Sequence, residues 1–136
     1  MSGEADFFDT NVVLHLLSAN SARADKAEAV LASGGAVSAQ VSNDFVAVAT
    51  HKLHMASGEI RQVLGQVPNV CGGVPVTIGT HHRAVRLAER HGLSIYGALI
   101  VSAALLAGCK TLFSEDMQDD RVIERQLTIR NPFAFA

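Results

Sequence analysis

The sequence has no long hydrophobic run. Its longest nearly apolar stretch, Ala98–Ala107, falls far short of the roughly 20 residues that a bilayer-spanning helix needs. No basic segment precedes an apolar one at the start, so no export signal is expected. Neither sign of charge dominates: 11 Lys and Arg stand against 13 Asp and Glu, a formal net charge of -2. That balance argues against loose, charge-driven attachment to nucleic acid, which draws on a basic surface. Cysteine is scarce. Cys71 and Cys109 follow no CxxC or zinc-type spacing. They are expected as semi-buried thiols of a cytoplasmic protein, with a disulfide left open until geometry decides. Repeats, low-complexity segments and linkers are also missing. With 49% hydrophobic and 18% charged residues, a disordered chain is excluded, and 136 residues fit a single domain over 1–136.

What is present alternates. Phe7-Phe8 closes a short apolar run at Asp9 and reads as a buried strand. Asn11 is the expected N-cap of a helix over Val12–Ser18. A helix over Ala22–Ser33 is stopped by Gly34-Gly35, and Ala36–Ser38 reads as a strand. Gln40–Leu53 has Val41, Phe45, Val48 and Ala49 on one helical face. Ser57 is the expected cap of Gly58–Val67, which Pro68 should end. Cys71–Pro75 reads as a turn before a strand at Val76–Ile78. His81–His91 is an amphipathic helix ended by Gly92. Ser94 opens a helix through Ala107 that is apolar nearly all round, hence buried. Thr111–Phe113 and Leu127–Ile129 are further strands. Short apolar strands between helices predict an α/β fold with a parallel sheet covered on both faces. In such folds the site lies beyond the carboxyl ends of the strands.

That rule selects carboxylates. Asp9 directly follows one strand. Asp116 follows another after Ser114-Glu115. Asp44 lies in the first turns of the helix behind a third. Brought together, they repel, and burial adds to the cost. A hard divalent cation relieves this; Mg²⁺ prefers oxygen ligands, keeps several waters and binds through one or two carboxylates plus substrate phosphates. Such an ion generates hydroxide and stabilises phosphoryl charge, so the chemistry suggested is metal-assisted phosphate-ester hydrolysis. Taken singly, Asp9 is equally a cap, Asp44 a first-turn acid favoured by the helix dipole, and Asp116 a solvated turn residue.

Four segments together are more specific. Phe7-Phe8-Asp9-Thr10-Asn11-Val12-Val13-Leu14 resembles the opening motif of PIN-domain ribonucleases. Val37–Phe45 resembles the second motif, with Asp44 in place of the usual Glu. Leu93–Val101 resembles the third, and Thr111–Gln118 the fourth. The ending Leu127–Phe133 is similar to the VapC-type toxin branch. The resemblance implies a three-layer α/β/α sandwich and Mg²⁺- or Mn²⁺-dependent cleavage of RNA. It also implies a VapB-type antitoxin partner and a homodimer. By position, Asp9, Asp44 and Asp116 would be the catalytic, metal-site carboxylates. Thr10, Asn11 and Ser114 would support them. The third motif normally carries an Asp before Ala-Leu-Ile, and here that position is Gly97. Glycine offers no ligand and weakens a helical turn by roughly 0.5–1 kcal/mol relative to Ala. It marks either a degenerate member or an introduced inactivating change; the intact remaining motifs favour the second.

Other residues carry weaker signals. His51 and His54, three apart, read as a solvated helix face rather than a zinc pair, and His81-His82 as surface polarity. Lys52, Arg83, Arg86, Arg90 and Lys110 are the basic candidates for RNA phosphates. Val12–Leu17, with Ala27, Val30 and Leu31, is a candidate groove for an amphipathic helix, or plain core. Two alternatives stand beside the nuclease: a catalytically silent PIN domain that acts by binding antitoxin or RNA, and a phosphoaspartyl domain with Asp9 as acceptor. The last needs a well-placed Lys, and Lys110 precedes its strand instead of following it.

Overall fold

Phe7 and Phe8 have no solvent exposure because β1 (Asp6–Phe8) runs through the middle of the sheet. On one side lies β2 (Gly35–Ser38), then β3 (Cys71–Val74) at the edge. On the other lie β4 (Thr111–Phe113), β6 (Leu127–Arg130) and the edge strand β5 (Val122–Ile123). All neighbours are parallel except β5, which runs antiparallel to β6. The structure, a computed structural model, describes residues 6–134, and the side chains of all of these except 66–74.

The helices are α1 (Thr10–Leu14), continued by a 3₁₀ turn at His15–Leu17, then α2 (Ser21–Ala32), α3 (Ala39–His51), α4 (Ser57–Val70), α5 (Ile78–His91) and α6 (Ile95–Leu106). They flank the sheet, giving the expected α/β class. The core joins Phe7, Phe8, Leu112 and Ile129 of the sheet to Val12, Phe45 and Val101 of the helices, all without solvent exposure. α6 is buried along most of its length, which is why its sequence is apolar on every side.

Gly35 is fixed by both backbone and space. Its φ is +151°, and a Cβ there would stand 2.6 Å from the Asp6 carbonyl oxygen and 2.7 Å from the Phe8 ring. Gly35→Ala is therefore expected to destabilise the fold by roughly 2–4 kcal/mol, as strain and overpacking combine. The midpoint of urea unfolding, compared with that of the unchanged protein, measures it.

Five expectations change. The cap of α1 is Asp9, not Asn11: Asp9 Oδ1 accepts from the Thr10 N–H, so the helix starts earlier. Asn11 is thereby released for other bonds. α4 continues past Pro68 to Val70; proline removes one donor, and only two residues follow it. The Gly72-Gly73 pair belongs to β3 itself, paired with β2 from Gly35↔Cys71 to Ser38↔Val74. The strand expected at Val76–Ile78 is absent, because Thr77 instead caps α5 in a reciprocal box with Thr80. His54 lies beyond α3 at φ +53°, so it shares no helix face with His51. Cys109 is buried, with Sγ 3.5 Å from the Asp6 carbonyl oxygen. The Cys71 side chain lies outside the described residues, and the disulfide question with it.

Candidate metal centre

The site follows from strand register. Phe7 pairs with Leu112 and Phe8 with Phe113, so Asp9 and Ser114 are the next residues out on adjacent strands. Ser114 Oγ donates to Asp9 Oδ2 at 2.8 Å, while the Thr10 N–H donates to Oδ1 at 2.7 Å. Ser114 Oγ also accepts from the Asp116 N–H at 3.2 Å. One fully buried hydroxyl thus ties the acid after β1 to the turn after β4.

Asn11 closes the connection. Its Nδ2 donates to Asp116 Oδ2 at 3.1 Å and stands 3.5 Å from Asp9 Oδ2. Its Oδ1 accepts from the Glu115 N–H at 3.2 Å. Asp44 arrives from α3, which Ser38 caps at the end of β2 by accepting from the Val41 N–H at 3.2 Å. The Thr10 hydroxyl is 3.5 Å from Asp44 Oδ2, a weak donor contact. Asp9, Asp44, Asp116, Thr10, Asn11 and Gly97 all line one cleft of about 470 Å³. Ser114 lies behind it as a support.

The electrostatics are those of crowded acids. Asp9 is only 6% exposed. Burial pushes its carboxyl above the usual range; the bonds from Ser114 and Thr10 pull the other way, and the charges of Asp116 and Asp44 push it further up. Burial also raises Asp44, with the Thr10 hydroxyl a partial offset. Positive charge in the cleft would relieve both.

The donor chemistry fits a hard cation. The cleft offers carboxylate and amide oxygens and no imidazole or thiolate. Each Asp9 oxygen already accepts one short hydrogen bond, which leaves lone-pair capacity on both. Among the described residues, no three His, Cys, Asp or Glu side chains are placed to enclose an ion by themselves. The set therefore suits an ion that keeps much of its water, as Mg²⁺ does.

Gly97 sits at the third position of α6, where its N–H donates to the Ser94 cap at 3.1 Å. A Cβ built there would meet Ser94 Oγ at 3.4 Å and Met117 Sδ at 3.5 Å, ordinary contacts. Nothing in the surroundings demands glycine.

A clasp behind the acids has no signature in the sequence. Glu115 is held by His15 at 2.6 Å and Arg23 at 2.9 Å. Phe133 packs against both: its ring centroid is 4.2 Å from that of His15, and the Arg23 guanidinium lies 5.6 Å from it. Burial pushes the Glu115 carboxyl up, but the bonds and charges of His15 and Arg23 outweigh this and hold it below the usual range. The clasp anchors the turn that carries Ser114 and Asp116 to α2 and the 3₁₀ turn. Its partners are about a hundred residues apart, so only the fold brings them together.

Beside the acid cleft lies an apolar one of about 510 Å³, floored by Leu14, Leu17, Val48 and Leu53. Asn11, Leu14 and Val48 line both. The groove anticipated from Val12–Leu17 is thus formed by Leu14 and Leu17. Val12, Ala27 and Leu31 are core, and Val30 packs against it.

Comparison with solved structures gives the same fold at low identity. A "Toxin-antitoxin complex from Klebsiella pneumoniae" superposes with a TM-score of 0.70 at 20% identity, over 93% of this chain and 97% of that one. FitAcB from Neisseria gonorrhoeae gives 0.61 at 14%, over 96% and 99%. VapBC2 from Rickettsia felis, bound to a DNA fragment from their promoter, gives 0.61 at 15%, over 93% and 97%. No curated relative matches. The sequence matches the PIN domain over residues 7–123, and the chain belongs to the PIN domain family.

Proposed function

We propose that this protein is a VapC-type toxin whose PIN domain hydrolyses RNA phosphodiester bonds with Mg²⁺ or Mn²⁺. The observation that carries the reading is the cleft shared by Asp9, Asp44 and Asp116, with Asp9 buried among like charges. When bound there, a divalent cation supplies an activated water and offsets phosphoryl charge. Asp9, Asp44 and Asp116 would hold it. Ser114 and the Thr10 N–H fix the Asp9 carboxylate, Asn11 sets Asp116 against it, and Thr10 Oγ1 steadies Asp44. Gly97 leaves the cleft one acid short, so this sequence is a weakened nuclease.

The partner proposed is a VapB-type antitoxin, in line with the toxin–antitoxin complexes that share the fold. Its amphipathic helix would lie along Leu14, Leu17, Val48 and Leu53. A homodimer is proposed as well, since Ile78, Tyr96, Leu106 and Val122 are exposed apolar side chains that a second copy would cover. Among the described residues no helix is long and apolar enough to cross a membrane, and the proposed site of action is the cytoplasm.

Incubating RNA with this chain and with Gly97→Asp, in Mg²⁺, Mn²⁺ or EDTA, tests the enzymatic reading. Metal-dependent fragments from either protein support it. Silence from both, with antitoxin still bound, favours the second reading, a PIN domain that acts by binding alone. The missing acid at Gly97 is what keeps that reading in play.

A further inference from the structure

On α5, away from the acidic residues, Arg83, Arg86 and Arg90 follow one another at spacings of three and four, so they share a helix face. With Leu87 and Glu124 they line a separate cavity of about 280 Å³. Glu124 reaches in from the turn between β5 and β6 and accepts from Arg90 Nη1 at 3.0 Å through both its oxygens. It also meets His91 at 2.9 Å. Arg90 and His91 therefore have a structural role, strengthened by their place at the helix C-terminus.

Arg83 and Arg86 have none. Among the described residues neither side chain makes an ion pair or hydrogen bond. Arg83 is nevertheless only half-exposed. Three guanidiniums against one carboxylate leave a formal +2 around the cavity. Like charges at these spacings weaken a helix, and partial burial of an unpaired guanidinium adds to the cost. The fold provides no internal compensation, whereas an external anion would. Guanidinium forks match phosphate oxygens in geometry as well as charge. In a chain of net charge -2, this local excess is what a polyanion would find.

We propose that Arg83 and Arg86 form a phosphate-binding exosite for single-stranded RNA, with Arg90 held at its edge by Glu124. The choice of RNA rests on the nuclease reading above. Position favours it too. Arg90 is joined through His91, Gly92 and Leu93 to Ser94, which lines the acid cleft. Four residues span at most about 14 Å, so the Arg90 edge of the row stands within about that distance of Ser94 at the cleft.

The test measures binding of a short fluorescent single-stranded RNA in EDTA, where metal-dependent cleavage is off. Arg83→Gln combined with Arg86→Gln should raise Kd about tenfold at low salt. It should also flatten the slope of log K against log salt by about 1.4, from two single-strand contacts at roughly 0.7 each. Gln keeps the helix propensity of Arg, and a thermal midpoint at or above that of the unchanged protein verifies folding. The double Lys variant should keep most of the salt slope, because charge persists while the fork is lost. Glu124→Gln should tighten binding, since it removes the one carboxylate of the cavity.

An unchanged Kd and slope in the double Gln variant overturn the exosite, as does failure of the unchanged protein to bind RNA at low salt. Equal affinity for polyglutamate overturns it in favour of a general anionic-peptide surface. Duplex DNA of the same length, bound as tightly, would shift the ligand from single-stranded RNA to phosphodiester backbone in general and overturn that assignment. The two proposals fail separately. RNA binding through these arginines without cleavage by Gly97→Asp removes the nuclease and leaves the exosite. Cleavage whose KM ignores the double variant does the reverse.

Discussion

Gly97→Asp should raise metal-dependent RNA cleavage by about a hundredfold or more, the scale on which one transition-state electrostatic group acts. Space permits the change, since the nearest atoms to a new Cβ are Ser94 Oγ at 3.4 Å and the flexible Met117 side chain at 3.5 Å. The backbone permits it as well, because position 97 lies in the first turn of α6, where an acid is favoured by the helix dipole. Gly97 already lines the cleft with Asp9 and Asp116. A carboxylate there completes the set that the family resemblance leads one to expect. Two controls separate charge from helix stability. Gly97→Ala should add roughly 0.5–1 kcal/mol of stability without raising cleavage. Gly97→Asn should leave cleavage low while matching Asp in size. Cleavage by the unchanged chain equal to that of Gly97→Asp would show that position 97 does not limit the reaction.

The second large effect concerns Asp9. Asp9→Asn should abolish cleavage in the Gly97→Asp background, by at least about a thousandfold, since the substitution takes charge from one of the carboxylates that would hold the ion. In EDTA the same substitution should make the protein more stable near neutral pH. The sign follows from the direction of the shift. Burial chiefly, with Asp116 and Asp44, raises the folded-state pKa of Asp9 above its unfolded value. Between those two values the folded form holds more protons than the unfolded one, so stability falls as pH rises through that window and stays lower above it. Asp9→Asn removes Asp9's share of this slope and leaves the share of Asp44, which burial also raises. Thermal unfolding across pH in EDTA measures it, and added Mg²⁺ should restore stability to the unchanged protein but not to Asp9→Asn. A pH slope undiminished by the substitution would assign the destabilisation to another group.

Much of this site was legible because it is assembled from local rules. A strand that ends in Asp, a Ser before a helical run and glycines after the helices all act within a few residues of themselves. The parallel sheet then brings the acids to one edge without further instruction. What was illegible depends on distant partners or on ambiguous residues. Cys71-Gly72-Gly73-Val74 looks like a turn because glycine carries no strand preference; only the neighbouring β2 makes it an edge strand. The start of α5 was readable in principle from Thr77 and Thr80, but Thr at the far end of a capping box is an unusual partner. Asn11 looked like a cap and is a bridge, because Asp9 two residues earlier takes the capping role. The Glu115 clasp could not be foreseen, as His15, Arg23 and Phe133 meet it only through the fold. The overall charge of -2 concealed its own distribution: acids gather in one cleft and unpaired arginines around another cavity.

The shared wall of the two neighbouring clefts has a thermodynamic consequence. Asn11, Leu14 and Val48 face both the acids and the apolar groove, and Asn11 also holds Asp116. An occupant of the groove that shifts Asn11 by a fraction of an ångström changes the affinity of the acids for a cation. Linkage makes the effect mutual and equal in both directions. Titrations of a groove ligand at several divalent-ion concentrations would then give different apparent affinities, and their ratio reads the communication between the two clefts directly.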